Sequence, residues 1–278
     1  MTVEKKPIPT LRKFIPPPMG KKPEVLSLPD EASVPSTNLL DYSWLIYGER
    51  KIGKTTLLSM FGEKPLFLMF EAGAKGISVL KREVANWKEF EQYVTLLEGV
   101  PGKYDLVVID TGGECYEQNL SQVKTDFGLT DIRDKAWGGG YTESRQRFSA
   151  IHDRLYRLPC GFAVTAHSEI KTIKPKFGAE YDKLSIQLPG QAFKYYLGVV
   201  DNICYYHYDD KGKRILTIRG DETVEAGTRC EGRFMYTDGS PIKDIPMGET
   251  KEEAYKNLML AFNNQLIKPI KKEVKNVT

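Results

Sequence analysis

Apolar residues along this chain fall into two patterns. Trp44–Tyr47, Leu66–Phe70, Leu106–Ile109 and Cys160–Ala166 are runs with little or no polar interruption. A strand with one wet face alternates, whereas a strand covered on both faces stays apolar throughout, so these runs suit buried central strands. Elsewhere the apolar positions recur at three- and four-residue steps. Trp87, Phe90, Val94 and Leu97 predict a surface helix over 87–98, and Phe148, Ile151, Leu155 and Leu158 predict one over 141–158. Ala254, Leu258, Ala261, Phe262 and Leu266 mark a third over 249–267. A short helix is expected over 55–61. Residues 198–208 read as a strand, with a hairpin partner over 213–219 across Asp209–Gly212. Strands interleaved with helices describe an α/β chain.

The first apolar run leads directly into candidate chemistry. Gly48, four residues, then Gly53-Lys54-Thr55 is the pattern G-x-x-x-x-G-K-[ST], set between a strand and a helix as a phosphate-binding loop requires. Gly48 and Gly53 permit backbone angles that let successive amides curl around a phosphate, and the following helix adds the positive end of its dipole. Glu49, Arg50, Lys51 and Ile52 complete the loop, and Thr56 follows it. Lys54 is expected on the β and γ phosphates of ATP, and Thr55 on Mg²⁺.

Two later strand ends extend the site. Leu66–Phe70 ends in Glu71, a carboxylate placed to orient water against a γ-phosphate. Leu106–Ile109 ends in Asp110, the Walker B form, in which the aspartate holds the metal through its water shell. Glu114 competes with Glu71 for the water-activating role. Cys160–Ala166 ends in His167, and Thr165 and His167 fall where polar groups sense a γ-phosphate.

Composition narrows the class. With 278 residues, 41% hydrophobic and 28% charged, the chain is expected to be soluble and cytoplasmic, with neither a membrane span nor a signal peptide. Cysteines 115, 160, 204 and 230 have no C-x-x-C spacing and only three histidines are present, which argues against a zinc site. Net charge is +3, so any basic surface is local. Residues 1–38 hold eight of the sixteen prolines and read as a basic arm, in which Leu11–Ile15, centred on Phe14, is a candidate anchor on a neighbouring subunit. Residues 39–248 form the core domain, and 249–278 a helix with a basic tail.

Residues 121–147, with Trp137-Gly138-Gly139-Gly140-Tyr141, read either as a mobile loop that stacks on bases or as a loop packed on its own domain. Residues 168–190 read as a loop whose Lys171, Lys174, Lys176 and Phe177 make the densest basic patch, a candidate nucleic-acid contact. Arg219 and Arg229, late in the core, are candidates for insertion into a neighbour's nucleotide site.

These pieces resemble the RecA-like P-loop ATPases, in particular the phage-encoded AAA-type proteins of the Sak single-strand-annealing group. The resemblance is carried by Tyr47-Gly48 through Thr56, Met69-Phe70-Glu71, Val108-Ile109-Asp110-Thr111, Trp137 to Tyr141 and Val164-Thr165-Ala166-His167. It implies a three-layer RecA-like core with a mostly parallel central sheet. It also implies Glu71 as the catalytic glutamate and two DNA-binding loops, after Asp110 and after His167. His167 stands where RecA has a glutamine, and RecA's large C-terminal domain has no counterpart. The expected function is Mg-ATP-dependent action on single-stranded DNA in phage recombination or repair, by a homo-oligomer in the host cytoplasm. A single-strand-binding or replication protein is an expected partner. The alternatives are a replication accessory such as a helicase loader, or a small P-loop kinase.

Overall fold

The computed structural model describes residues 28–269. The chain divides into two units, 1–34 and 35–278. Residues 28–34 of the first carry no helix or strand. The Leu11–Ile15 anchor and most of the basic tail lie outside the described residues.

In the second unit, β1 (Trp44–Gly48) is followed by α1 (Lys54–Leu58), β2 (Pro65–Met69), β3 (Leu80–Glu83), α2 (Trp87–Glu98), β4 (Leu106–Asp110) and α3 (Gly112–Phe127). Next come α4 (Gly139–Tyr156), β5 (Gly161–Ile173), β6 (Tyr181–Gln187), α5 (Gly190–Val199), β7 (Asn202–Tyr208), β8 (Arg214–Thr217), β9 (Gly227–Thr228), β10 (Asp244–Pro246) and α6 (Lys251–Phe262). The sheet order is β10-β8-β7-β1-β5-β4-β2-β3. From β7 to β3 every neighbouring pair is parallel, and β8 and β10 add antiparallel strands at one edge.

The unbroken apolar runs are buried on both faces, as their pattern requires. In β1, Trp44 and Ile46 face a core shared with Leu57 and Leu58 of α1 and with Leu258 and Phe262 of α6. Leu45 and Tyr47 face the opposite core, with Trp87, Phe90, Phe148 and Tyr196 from α2, α4 and α5. The result is a three-layer α/β core with a mostly parallel central sheet. The described residues hold no helix long and apolar enough to cross a membrane.

Several expectations need correction. Residues 168–190 are not an open loop: β5 continues to Ile173 and pairs with β6 from His167↔Gln187 to Ile173↔Tyr181, so only the turn between them is irregular. Residues 121–147 are largely helical, being shared between α3 and α4. Gly140 serves packing there, since a Cβ at that position would stand 2.2 Å from the Ile132 carbonyl oxygen. Residues 198–199 end α5 rather than open a strand. The helices after the phosphate loop and near the C-terminus are shorter than their periodicity predicts.

Candidate nucleotide site

The tips of the parallel strands β1, β2, β4 and β5 converge on one cleft of about 440 Å³. β1 delivers Gly48, and the loop turns back into α1 through Gly53, whose φ of +111° is strained for any side-chain-bearing residue. Lys54, Thr55 and Thr56 line the cleft together with Glu71, Asp110, Thr111 and His167.

Lys54 is 6% exposed, and its Nζ donates to the carbonyls of Gly48 (2.9 Å) and Glu49 (2.8 Å). Burial lowers its pKa to about 8, against the opposing pull of the Asp110 and Glu71 carboxylates. Asp110, equally buried, accepts from Thr55 Oγ1 on one oxygen (2.8 Å) and from Thr165 Oγ1 on the other (2.5 Å). The P-loop, the β4 tip and the inner part of β5 are thereby tied through one carboxylate.

Glu71 has its own pair of partners. Its Oε1 accepts from Thr111 Oγ1 at 2.9 Å and lies 3.1 Å from His167 Nε2, while Oε2 is 3.3 Å from the same nitrogen. The other ring nitrogen of His167 is buried with no protein partner among the described residues. Glu114, by contrast, is exposed on the first turn of α3. It lines an adjoining cleft of about 340 Å³ that shares Arg50, Glu71, Thr111 and His167 with the first.

Thr55 and Asp110 offer hard oxygen donors that already face each other, which fits a small divalent cation completed by phosphate and water oxygens. Among the described residues no cluster of three or more His, Cys, Asp or Glu is built to hold a metal unaided.

The candidate partner residues are dispersed. Lys171 is paired with Glu169 at 2.9 Å and lies over the Phe193 ring. Lys174 is paired with Glu180 at 2.9 Å, whereas Lys176 sits over Phe177, itself strongly exposed at the hairpin turn. Arg219 donates to the carbonyls of Ile242, Arg233 and Phe234, and Arg229 to those of Leu197 and Gly198. Arg229 follows β9, which pairs with the start of β7, at the end of the sheet away from the P-loop. Two neighbours of the loop escaped the sequence reading. Thr111 was legible as the residue after Asp110, but Tyr206 and Arg214 reach the loop from β7 and β8, with no local signal.

No curated protein matches the sequence significantly. Among solved structures, a KaiC-like protein from the hyperthermophilic archaeon Pyrococcus horikoshii OT3 is similar, with 14% identity, a TM-score of 0.42, and coverage of 75% of this chain and 86% of that one. The AAA domain family (AAA_24) matches residues 40–230, from just before β1 to just past β9. That match takes in well over half of the chain and every residue of the converging strand tips: the chain belongs to the AAA domain family and is a P-loop ATPase.

Proposed function

We propose that this ATPase hydrolyses Mg-ATP and acts on single-stranded DNA, in the manner of the phage Sak group in recombination or repair. The observation that carries this reading is the course of β5. One continuous strand holds Thr165 on Asp110 and His167 on Glu71, then runs on to the hairpin turn with Lys174, Lys176 and Phe177. A change at the reacting phosphate has a direct mechanical route to an exposed basic and aromatic tip.

In this reading the loop amides from Gly48 to Thr56 cradle the phosphates, and Lys54 exchanges its two carbonyl partners for β- and γ-phosphate oxygens. Thr55 and Asp110 hold Mg²⁺, which supplies charge neutralisation on the phosphates. Glu71 orients a water and takes its proton as the oxygen attacks the γ-phosphorus and the bond to the β-phosphate oxygen breaks. Thr111 and His167 fix the carboxylate for that task.

A second exposed aromatic supports the DNA partner. Trp137 is fully exposed in the link between α3 and α4. At its far end α4 places the Tyr156 hydroxyl on the Val199 carbonyl and beside Ser43, just before β1. An 18-residue helix spans about 27 Å, so its start, and Trp137, lie toward the strand tips where the hairpin projects. Stacking of bases on such aromatics needs no sequence preference. A role for Arg219 or Arg229 in a nucleotide site requires a second copy of the chain, as in a homo-oligomer.

The test is ATP hydrolysis with and without single-stranded DNA across a salt series, with Lys54→Ala as the blank. Stimulation by DNA that fades as salt rises is the expected result. Hydrolysis with no DNA binding at any salt overturns the DNA reading in favour of a protein-facing accessory such as a helicase loader. Phosphate transfer to a small acceptor instead of water identifies a kinase.

A further inference from the structure

Both signature glycines of the phosphate loop rest on the same residue. Gly48 stands opposite Tyr206 in the β1–β7 register, and a Cβ on it would meet the Tyr206 carbonyl oxygen at 2.0 Å. At Gly53 the corresponding position lies 3.8 Å from Tyr206 Cε1, 4.0 Å from its hydroxyl and 3.8 Å from Arg214 Nη1. The Tyr206 backbone thus packs against one end of the loop, while its ring and the Arg214 guanidinium bound the space beside Gly53 at the other end.

Arg214 is held in turn by the segment that opens α6. Its Nε donates to the Gly248 carbonyl at 3.2 Å, and its own carbonyl accepts from the Met247 amide at 2.9 Å. That segment is stiffened by a capping box, in which Thr250 and Glu253 exchange side-chain and backbone bonds. Tyr206 is buried, with Arg214 beside its ring opposing the upward push of burial on the phenol. Neither residue lines the nucleotide cleft. Whatever they contribute to nucleotide binding passes through the loop.

We infer that Tyr206 and Arg214 are positioning residues for the phosphate loop, holding Gly53 and the following amides in the phosphate-binding conformation. The inference rests on the loop being the ATP site. An amide cradle that must be ordered at the moment of binding loses affinity, while the chemistry of a bound nucleotide is unaffected. Arg214 is suited to the task because its planar fork engages two directions at once, which a lysine ammonium on the same stem does not reproduce.

The experiment compares wild type, Arg214→Ala, Arg214→Lys and Tyr206→Phe for binding of ATP and of inorganic triphosphate, and for KM and kcat, with Lys54→Ala as reference. Arg214→Ala is expected to raise Kd and KM about tenfold, with kcat changed by less than about twofold, the signature of lost uniform binding. The loss is expected to be equal for ATP and inorganic triphosphate, because only the phosphate cradle is affected. Arg214→Lys should retain most of the defect, and Tyr206→Phe should show a smaller one. Should Arg214→Ala fail to fold, Arg214→Lys carries the same comparison. An unchanged Kd, a loss confined to ATP, or full rescue by lysine overturns the inference. If wild type itself binds neither ligand, the ATP-site reading fails instead, independently of Arg214.

Discussion

Gly161–Ala166 and His167–Ile173 are consecutive halves of β5, yet only the first is walled in by parallel neighbours on both edges. There Thr165 is fully buried, and its hydroxyl has one strong acceptor in Asp110. In the outer half and the turn beyond it, Lys171 and Lys174 find carboxylates on their own hairpin, and Ile170 and Phe177 face solvent. Inside, every polar group must have a specific partner, so residue identity reports role. Outside, water and nearby ions are alternative partners, so the same residue types specify much less. The contrast separates a cluster fixed by its geometry from an exposed hairpin whose proposed contact role rests on charge and aromatic exposure.

Removing charge from the inner region should give the largest effect. Lys54→Ala is expected to reduce ATP turnover by on the order of a thousandfold, because it removes the ammonium held inside the loop on the Gly48 and Glu49 carbonyls. The same ammonium makes binding pH-dependent. With its pKa near 8 in the free protein, ATP affinity should fall as pH rises through 8 and the cation is lost, measurable by titration between pH 7 and 9.5.

Next is the junction of the two halves. His167→Ala should lower basal turnover roughly tenfold, as loss of a group that orients a catalytic carboxylate does, and should abolish stimulation by DNA. Retained stimulation in a steady-state assay would mean that the strand is no conduit between the halves. The smallest effect is expected at the tip. Lys174→Ala with Lys176→Ala should weaken DNA binding only a few-fold and lower the slope of log affinity against log salt by about 1 to 2. A larger loss would show that the outer half is as specific as the inner one.

Stability tests the contrast independently of function. His152 is buried against Phe148; its Nδ1 donates to the Phe148 carbonyl, so Nε2 of the neutral ring accepts from the Tyr196 hydroxyl, and burial depresses its pKa from 6.5 to about 4. The unfolded chain therefore binds the extra proton first. Stability is expected to be full above pH 6.5 and to fall as pH drops from 6.5 toward 4, by up to about 1.4 kcal/mol per pH unit. A His152→Leu variant should flatten that slope in thermal melts.

What was legible in the sequence follows the same division. The phosphate loop was readable because its chemistry depends on local spacing, and Glu71 and Asp110 because each ends an unbroken apolar run. The hairpin was not: Leu184, Ile186 and Leu188 alternate with polar residues, but the outer part of β5 and the turn are mostly polar and charged, so the first arm gives no matching signal and the stretch reads as a loop. The glycines at 138–140 left both a mobile loop and one packed on its own domain open, and at Gly140 the missing Cβ permits close packing on Ile132. The ion pairs that offset Lys171 and Lys174 depend partly on strand pairing, and the bracing of the loop by Tyr206 and Arg214 depends on the order of strands. The bracing in particular has no signature within a short window.

The central claim is that the carboxylate held by Thr111 and His167 activates the water. The direct measurement is ATP binding and single-turnover hydrolysis of Glu71→Gln beside Glu114→Gln. Glu71→Gln should bind ATP with near wild-type affinity and lose turnover by about a hundredfold or more, while Glu114→Gln turns over normally. Loss of turnover in Glu114→Gln with retention in Glu71→Gln would contradict the account.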